Sequence, residues 1–238
     1  MIDPRSQWYP YLNVHPSYYD LSEITEIPRK ICDYLLDAPK GAYKPIDDNK
    51  YSRCRFWKYL YHDGAKPLNE KLPSISEKIK VLFDPNHPED PPTDKGYRLY
   101  PQVFVPQSQD KAQTRVYCYM GRTVPNNNEY TISISVVFMI LTHYTYELNT
   151  KSDEYSRALA IEQALIEAFH GVNMTGVGTF YFNRAKHPDC GSKAMYDGKQ
   201  NVGRELTIGL EIATDATNEY SESENMPFLN ESGTIRLA

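Results

Sequence analysis

Histidines, cysteines and adjacent carboxylates are the side chains of this 238-residue chain that could do chemistry, and none stands in a spacing that a reaction needs. His15, His62, His87, His143, His170 and His187 are scattered, so no His-Glu-x-x-His pair presents a metal from one helix face. No Gly-x-x-x-x-Gly-Lys-Ser/Thr phosphate cradle and no Gly-x-Ser-x-Gly nucleophile elbow occurs. Gly171, Gly176 and Gly178 fall between a helix and a strand, where glycine serves turns. His187-Pro188-Asp189-Cys190 offers metal ligands but lacks a second pair at finger spacing. Asp47-Asp48 and Glu89-Asp90 could hold a cation or move a proton, yet adjacent loop acids are ordinarily solvated. His143 shares strand parity with Ser133 and Ser135 and reads as solvent-facing. His170 ends a helix, where the macrodipole favours a partly cationic ring. The expectation is a protein that is not an enzyme, with no catalytic residue, no cofactor-binding residue and no metal site.

Arg53 to Tyr61 (RCRFWKYLY) mixes bases with aromatics, a pairing that can stack single-stranded nucleic acid, but it is one short run. The 26 basic and 31 acidic residues give a net charge of −5, unevenly spread. From Glu205 onward there are seven acids and Arg236, so that end carries 1 − 7 = −6 and the rest +1. Such a balance gives no clustered basic grip on phosphates. Cys32, Cys54, Cys118 and Cys190 are widely spaced, which predicts reduced thiols. No apolar run is long enough to span a membrane, and no secretory leader is visible at Met1. Tyrosine, at 20 against 8 Phe and 2 Trp, suits contact surfaces that stay half wet.

The elements that would position these residues can be read in order. Residues 1–20, with prolines at 4, 10 and 16, read as an extended arm. A helix follows from an N-cap at Thr25, with Pro28 in its first turn and Ile27, Ile31, Tyr34 and Leu35 as its stripe. Residues 40–96 read as an insertion, with a strand or short helix at 51–60 and a short helix near 72–83 carrying Ile75, Ile79 and Leu82. Three strands are expected at 97–105, 114–121 and 129–146, the last long enough to protrude as part of a hairpin. In it Ile132, Ile134, Val136, Phe138 and Ile140 point one way. A second helix is expected from a cap at Thr150 with Asp153, burying Tyr155, Leu159, Leu165, Ile166 and Phe169, and ending at Gly171. Strands at 178–183 and 202–213 complete the pattern, and 215–238 is an acidic tail. The fold class is α+β: a mostly antiparallel sheet with two main helices on one face, a long hairpin and extended terminal arms, in one domain over 1–238.

The helix headed by Tyr155-Ser156-Arg157 leads through Phe169-His170-Gly171 to a Gly176-x-Gly178 turn, then to a strand, a polar crossover and a last strand holding Arg204 to Ile212. With three strands and a helix before it, this order resembles the tail terminator (tail completion) and neck ring proteins of tailed bacteriophages, over about residues 22–213. The resemblance implies a structural virion protein that forms a ring, usually a hexamer, at the head-proximal end of a tail. Its implied partners are copies of itself, the tail tube protein, neck or connector proteins, and a sheath if the tail is contractile. Genomic DNA would pass through the lumen without specific binding. No cofactor and no membrane are implied, and the place would be the virion after assembly in the host cytoplasm. The alternatives are another neck, head-completion or tube-like virion protein, or a ligand-binding α+β domain.

Overall fold

The computed structural model describes residues 21–36, 49–88, 91–103, 112–126, 131–148, 156–174, 177–197 and 200–213. The arm at 1–20, the tail at 215–238, Asp47-Asp48, Glu89-Asp90, Thr150, Asp153 and Tyr155 lie outside them.

Helix α1, Leu21–Leu35, begins before Thr25, so Pro28 sits in its second turn rather than its first. The missing proline donor is outweighed by burial of Ile27, Ile31, Cys32 and Leu35. Helix α2, Ser52–Tyr61, resolves the ambiguous aromatic run as a helix. Its Phe56, Trp57 and Leu60 are completely buried, and they join the same core as α1 and the sheet. The Trp57 indole N–H donates to the Leu35 carbonyl and so caps the end of α1. Helix α3, Ile75–Lys80, starts at a capping box: Ser74 Oγ accepts from the Glu77 N–H, and the Glu77 carboxylate accepts from the Ser74 N–H. That box holds the Glu77 carboxyl below its ordinary range. Against the periodicity, Ile79 is half exposed and Lys78 is buried, with its ammonium over the Trp57 ring.

The sheet has the order β1-β2-β3-β7-β5-β4, with β6 also on β7. Its strands are β1 Leu99–Tyr100, β2 Thr114–Pro125, β3 Thr131–His143, β4 Asn173–Met174, β5 Gly178–Tyr181, β6 Gly191–Asp197 and β7 Asn201–Ala213. All pairings are antiparallel except β1 with β2. The expected protrusion of the third strand is not found. β3 pairs with β7 along its whole length, from Thr131↔Ala213 to His143↔Asn201, and a short helix α4, Tyr144–Leu148, takes over the predicted extension. Helix α5, Arg157–Phe169, is capped by Ser156, whose Oγ accepts from the Leu159 N–H. Gly171 follows with φ +78, the left-handed residue foreseen there.

Val136, Phe138 and Ile140 of β3, with Leu206, Ile208 and Leu210 of β7, face α1, α2 and α5 in one core. The opposite face is covered at one end by Phe83, Tyr97 and Tyr100 packed on Tyr117 and Leu141. Rings of Tyr100 and Tyr117 stack with centroids 4.6 Å apart.

Candidate functional site

Three polar constellations lie on this frame. The first ties helices together. Arg157, fully buried at the start of α5, donates to the carbonyls of Tyr59, His62 and Gly64, the last at 2.7 Å. Arg98, also buried, donates to the Leu60 carbonyl at 2.8 Å and grips Asp63 with both terminal nitrogens, at 2.8 and 2.5 Å. Two guanidiniums thus occupy the carbonyls that α2 leaves unmet at its end. Burial pulls the Arg157 proton affinity down most, Asp63 and Glu147 push it back, and Arg98 lowers it. In the second constellation Glu162 of α5 accepts from Arg204 of β7 and from Ser192 Oγ of β6 at 3.0 Å, docking helix to sheet edge. Both sets hold elements of the fold together, with the Nε of Arg98 and of Arg157 left without a hydrogen-bond partner.

The third constellation holds His187. β5 and β6 occupy one edge of β7: Tyr181 pairs with Gly209 and Gly191 with Thr207. An uninterrupted strand would bring residue 183 opposite Thr207, so 182–190 is an excursion out of a single edge strand. It folds back over the sheet face. His187 is 1% exposed and lies on Gly209, where a Cβ would meet the His187 Cβ at 2.6 Å. Ser135, opposite Gly209 on β3, puts its Oγ 3.4 Å from His187 Nε2 and donates to Asp189 Oδ2 at 3.3 Å. The Asp189 backbone N–H donates to His187 Nδ1 at 3.2 Å. Arg122 of β2 lies 3.8 Å from Asp189. Cys190 donates to the Tyr181 carbonyl, and its sulfur accepts from the Gly209 N–H at 3.2 Å.

Ser, His and Asp in one cluster invite comparison with a nucleophilic triad, and the hydrogen bonds argue against it. Nδ1 accepts from a backbone N–H, so the ring proton sits on Nε2 and points at Ser135. A general base needs a lone pair there. Ser135 is 2% exposed and spends its own proton on Asp189. The cluster is a clasp. The burial of His187 was not legible in the scattered histidine pattern; the alternation that put Ser135 on the face opposite the main core was its one sequence signal.

The remaining sequence candidates fall apart spatially. His170 is the C-cap of α5, and its Nδ1 accepts from the Phe182 N–H at 3.1 Å. His143 is half-buried and stacks on Tyr144. Of the basic-aromatic run, Arg53 donates to the Tyr34 carbonyl, Arg55 pairs with Glu167 and Lys58 donates to the Leu68 carbonyl, so its cations serve α2's own contacts. All four cysteines are free and buried; burial pushes the Cys118 thiol up, with Cys32 hydrogen-bonded to it. Among the described residues no group of His, Cys, Asp and Glu could hold a metal ion, and no helix is long and apolar enough to cross a membrane.

What remains available for contact is the sheet's own edges. β1 covers the outer side of β2 only at Val116 and Tyr117, so Cys118 to Pro125, paired with β3 on the inner side, has no second partner strand among the described residues. On the far side β6 pairs with β7 alone, and its Tyr196 is 77% exposed. This defines an α+β domain whose mostly antiparallel sheet has, among the described residues, two edges without a further strand.

The chain belongs to the YomW family, whose model matches residues 54–207, and it is a phage-related protein. No curated protein and no solved structure matches it.

Proposed function

We propose that this protein is a non-catalytic virion component that forms a ring at the head-proximal end of a phage tail, ending the tail tube and joining it to the neck. The observation that supports this best is the pair of open edges. β2, β3, β7 and β6 alternate in direction across the sheet. A second copy set beside the first in the same orientation therefore lays its β2 against β6 antiparallel, and the sheet continues. A contact of this head-to-tail kind closes into a ring when its rotation divides the circle. It also removes edges that would otherwise recruit other strands. The resemblance to ring-forming tail proteins sets the expected number at six. The net charge of −5 suits a channel through which DNA slides. Tube, neck and, in a contractile tail, sheath proteins are the partners of this reading.

The Gly209 N–H points to the β6 side, so by alternation the N–H groups of Ser192, Ala194 and Tyr196 point outward. Ala194→Pro removes one outward donor and leaves the pairing with β7 intact. Wild-type protein, alone or mixed with tail tubes, is expected to give rings by light scattering and negative-stain microscopy, and Ala194→Pro to give folded monomers. A wild-type chain that stays monomeric and never caps a tube would end this reading.

A further inference from the structure

We propose that the 182–190 excursion is an acid-released flap, held on the sheet by a neutral His187 ring and freed when that ring gains a second proton. Geometry supports this first. The row beneath the loop is built of small residues: Gly121 on β2, Ser135 on β3 and Gly209 on β7. A Cβ at Gly121 would come within 3.0 Å of the Ser135 Cβ, and one at Gly209 would strike His187. The sheet is therefore flat enough here to seat an imidazole. That ring is then fixed by two bonds of opposite sense, accepting at Nδ1 from the Asp189 N–H and donating at Nε2 toward Ser135. A proton added to Nδ1 aims one N–H at another, and the Asp189 amide loses this acceptor.

The charged groups around the ring set the direction. Asp189, on the loop itself, favours the added proton; Arg122, reaching in from β2, opposes it. β3 and β7 contribute Ser135 and Gly209, β5 the Tyr181 carbonyl and the loop's last residue Cys190, none of which is a cation or carboxylate. Burial is the largest influence and lowers the affinity of His187 for a proton below the ordinary value of 6.5. The clasp is therefore complete above 6.5, the value of the open loop, and is lost as pH falls through the lower value of the closed one. Between the two, the open fraction rises by up to about tenfold per pH unit. Opening frees the start of β6 as well as the loop, because Cys190 is held by the same seat.

Hydrogen exchange on the full chain tests this, with protection factors corrected for intrinsic rates at about pH 7.5 and about pH 5. Segment 183–192 and the Gly209 amide are expected to lose protection at the lower pH, by up to about tenfold per pH unit below 6.5, while 131–143 keeps its own. His187→Asn keeps an acceptor near the Nδ1 position but does not titrate in this range, so its loop protection should not change with pH. Equal protection of the wild-type loop at both values overturns the proposal. So does an unchanged pH response in His187→Asn, which would assign the effect to another group, or a parallel loss in 131–143, which would make it global unfolding. If the variant does not fold, nitrogen NMR of the wild-type imidazole decides: the proton must sit on Nε2 near neutrality, and an Nδ1–H tautomer refutes the clasp.

Discussion

Replacing Arg157 with methionine is expected to destabilise the protein by about 3–5 kcal/mol, with the urea midpoint falling at unchanged slope. The side chain is fully buried and its guanidinium answers three backbone carbonyls, those of Tyr59, His62 and Gly64. Methionine matches much of the stem's volume and answers none of them. A carbonyl shut off from water and left without a donor costs about 1–3 kcal/mol, so the range requires the half-buried Tyr59 and His62 carbonyls to be shut off, since Gly64 is exposed. The two terminal nitrogens of Arg98 already donate to Leu60 and Asp63 and so do not replace the Arg157 fork. Arg157→Lys is expected to recover only part of the loss. One ammonium is a compact point donor and cannot span acceptors that a planar fork meets at two nitrogens. The position also explains why a cation begins α5, where the helix dipole disfavours it. The residue serves the end of α2 rather than the start of its own helix. A loss under about 1 kcal/mol would show that water reaches those carbonyls.

This contact marks the boundary of what the sequence reveals. The apolar alternation of β3 and β7 was legible because both strands bury one whole face against helices, so each second residue is constrained. β6 was missed for the converse reason. Gly191 to Tyr196 contains no β-branched residue and most of it is exposed, so nothing in its composition distinguishes it from a loop. It is a strand because β7 offers it a ladder. The sequence places the start of α1 too late, since Pro28 is a strong local signal and the burial that overrides it is tertiary. The buried polar contacts were invisible for the same reason. Arg157 and its acceptors are more than 90 residues apart in the chain, and Ser135 and His187 more than 50. Residue types give no sign that these meet: strand alternation places Ser135 on the face away from the main core but reads that face as solvent-facing, whereas Ser135 is buried. The open edges are not legible in the sequence. Their availability for pairing follows from the observed order, with β1 stopping short on β2 and β6 lying outermost beside β7.

Gly203→Ala is expected to cost about 3 kcal/mol, the upper part of the range for overpacking by a single carbon. Gly203 stands opposite Leu141 in the β3–β7 ladder. A Cβ built there would lie 2.0 Å from the Ile140 carbonyl oxygen and 3.0 Å from its carbon. Both are backbone atoms of the central strand, so no rotamer change relieves the contact, and β7 must move away from β3. That movement reaches the open edge, because Gly203 also pairs with Met195 of β6. Arg204, the next residue, would carry its pairing with Glu162 along with it. Gly64→Ala is the matched control: a Cβ there meets nothing within 4 Å, and the change should stay within about 0.5 kcal/mol. Chemical denaturation of the two variants measures the difference. If the proposed ring is built on β6, Gly203→Ala should also weaken assembly under conditions where the monomer is still folded, whereas Arg157→Met, acting on the helical layer, should lower stability without that added loss. Equal loss of assembly in both variants at matched stability would mean that the edge beside Gly203 is not where copies meet.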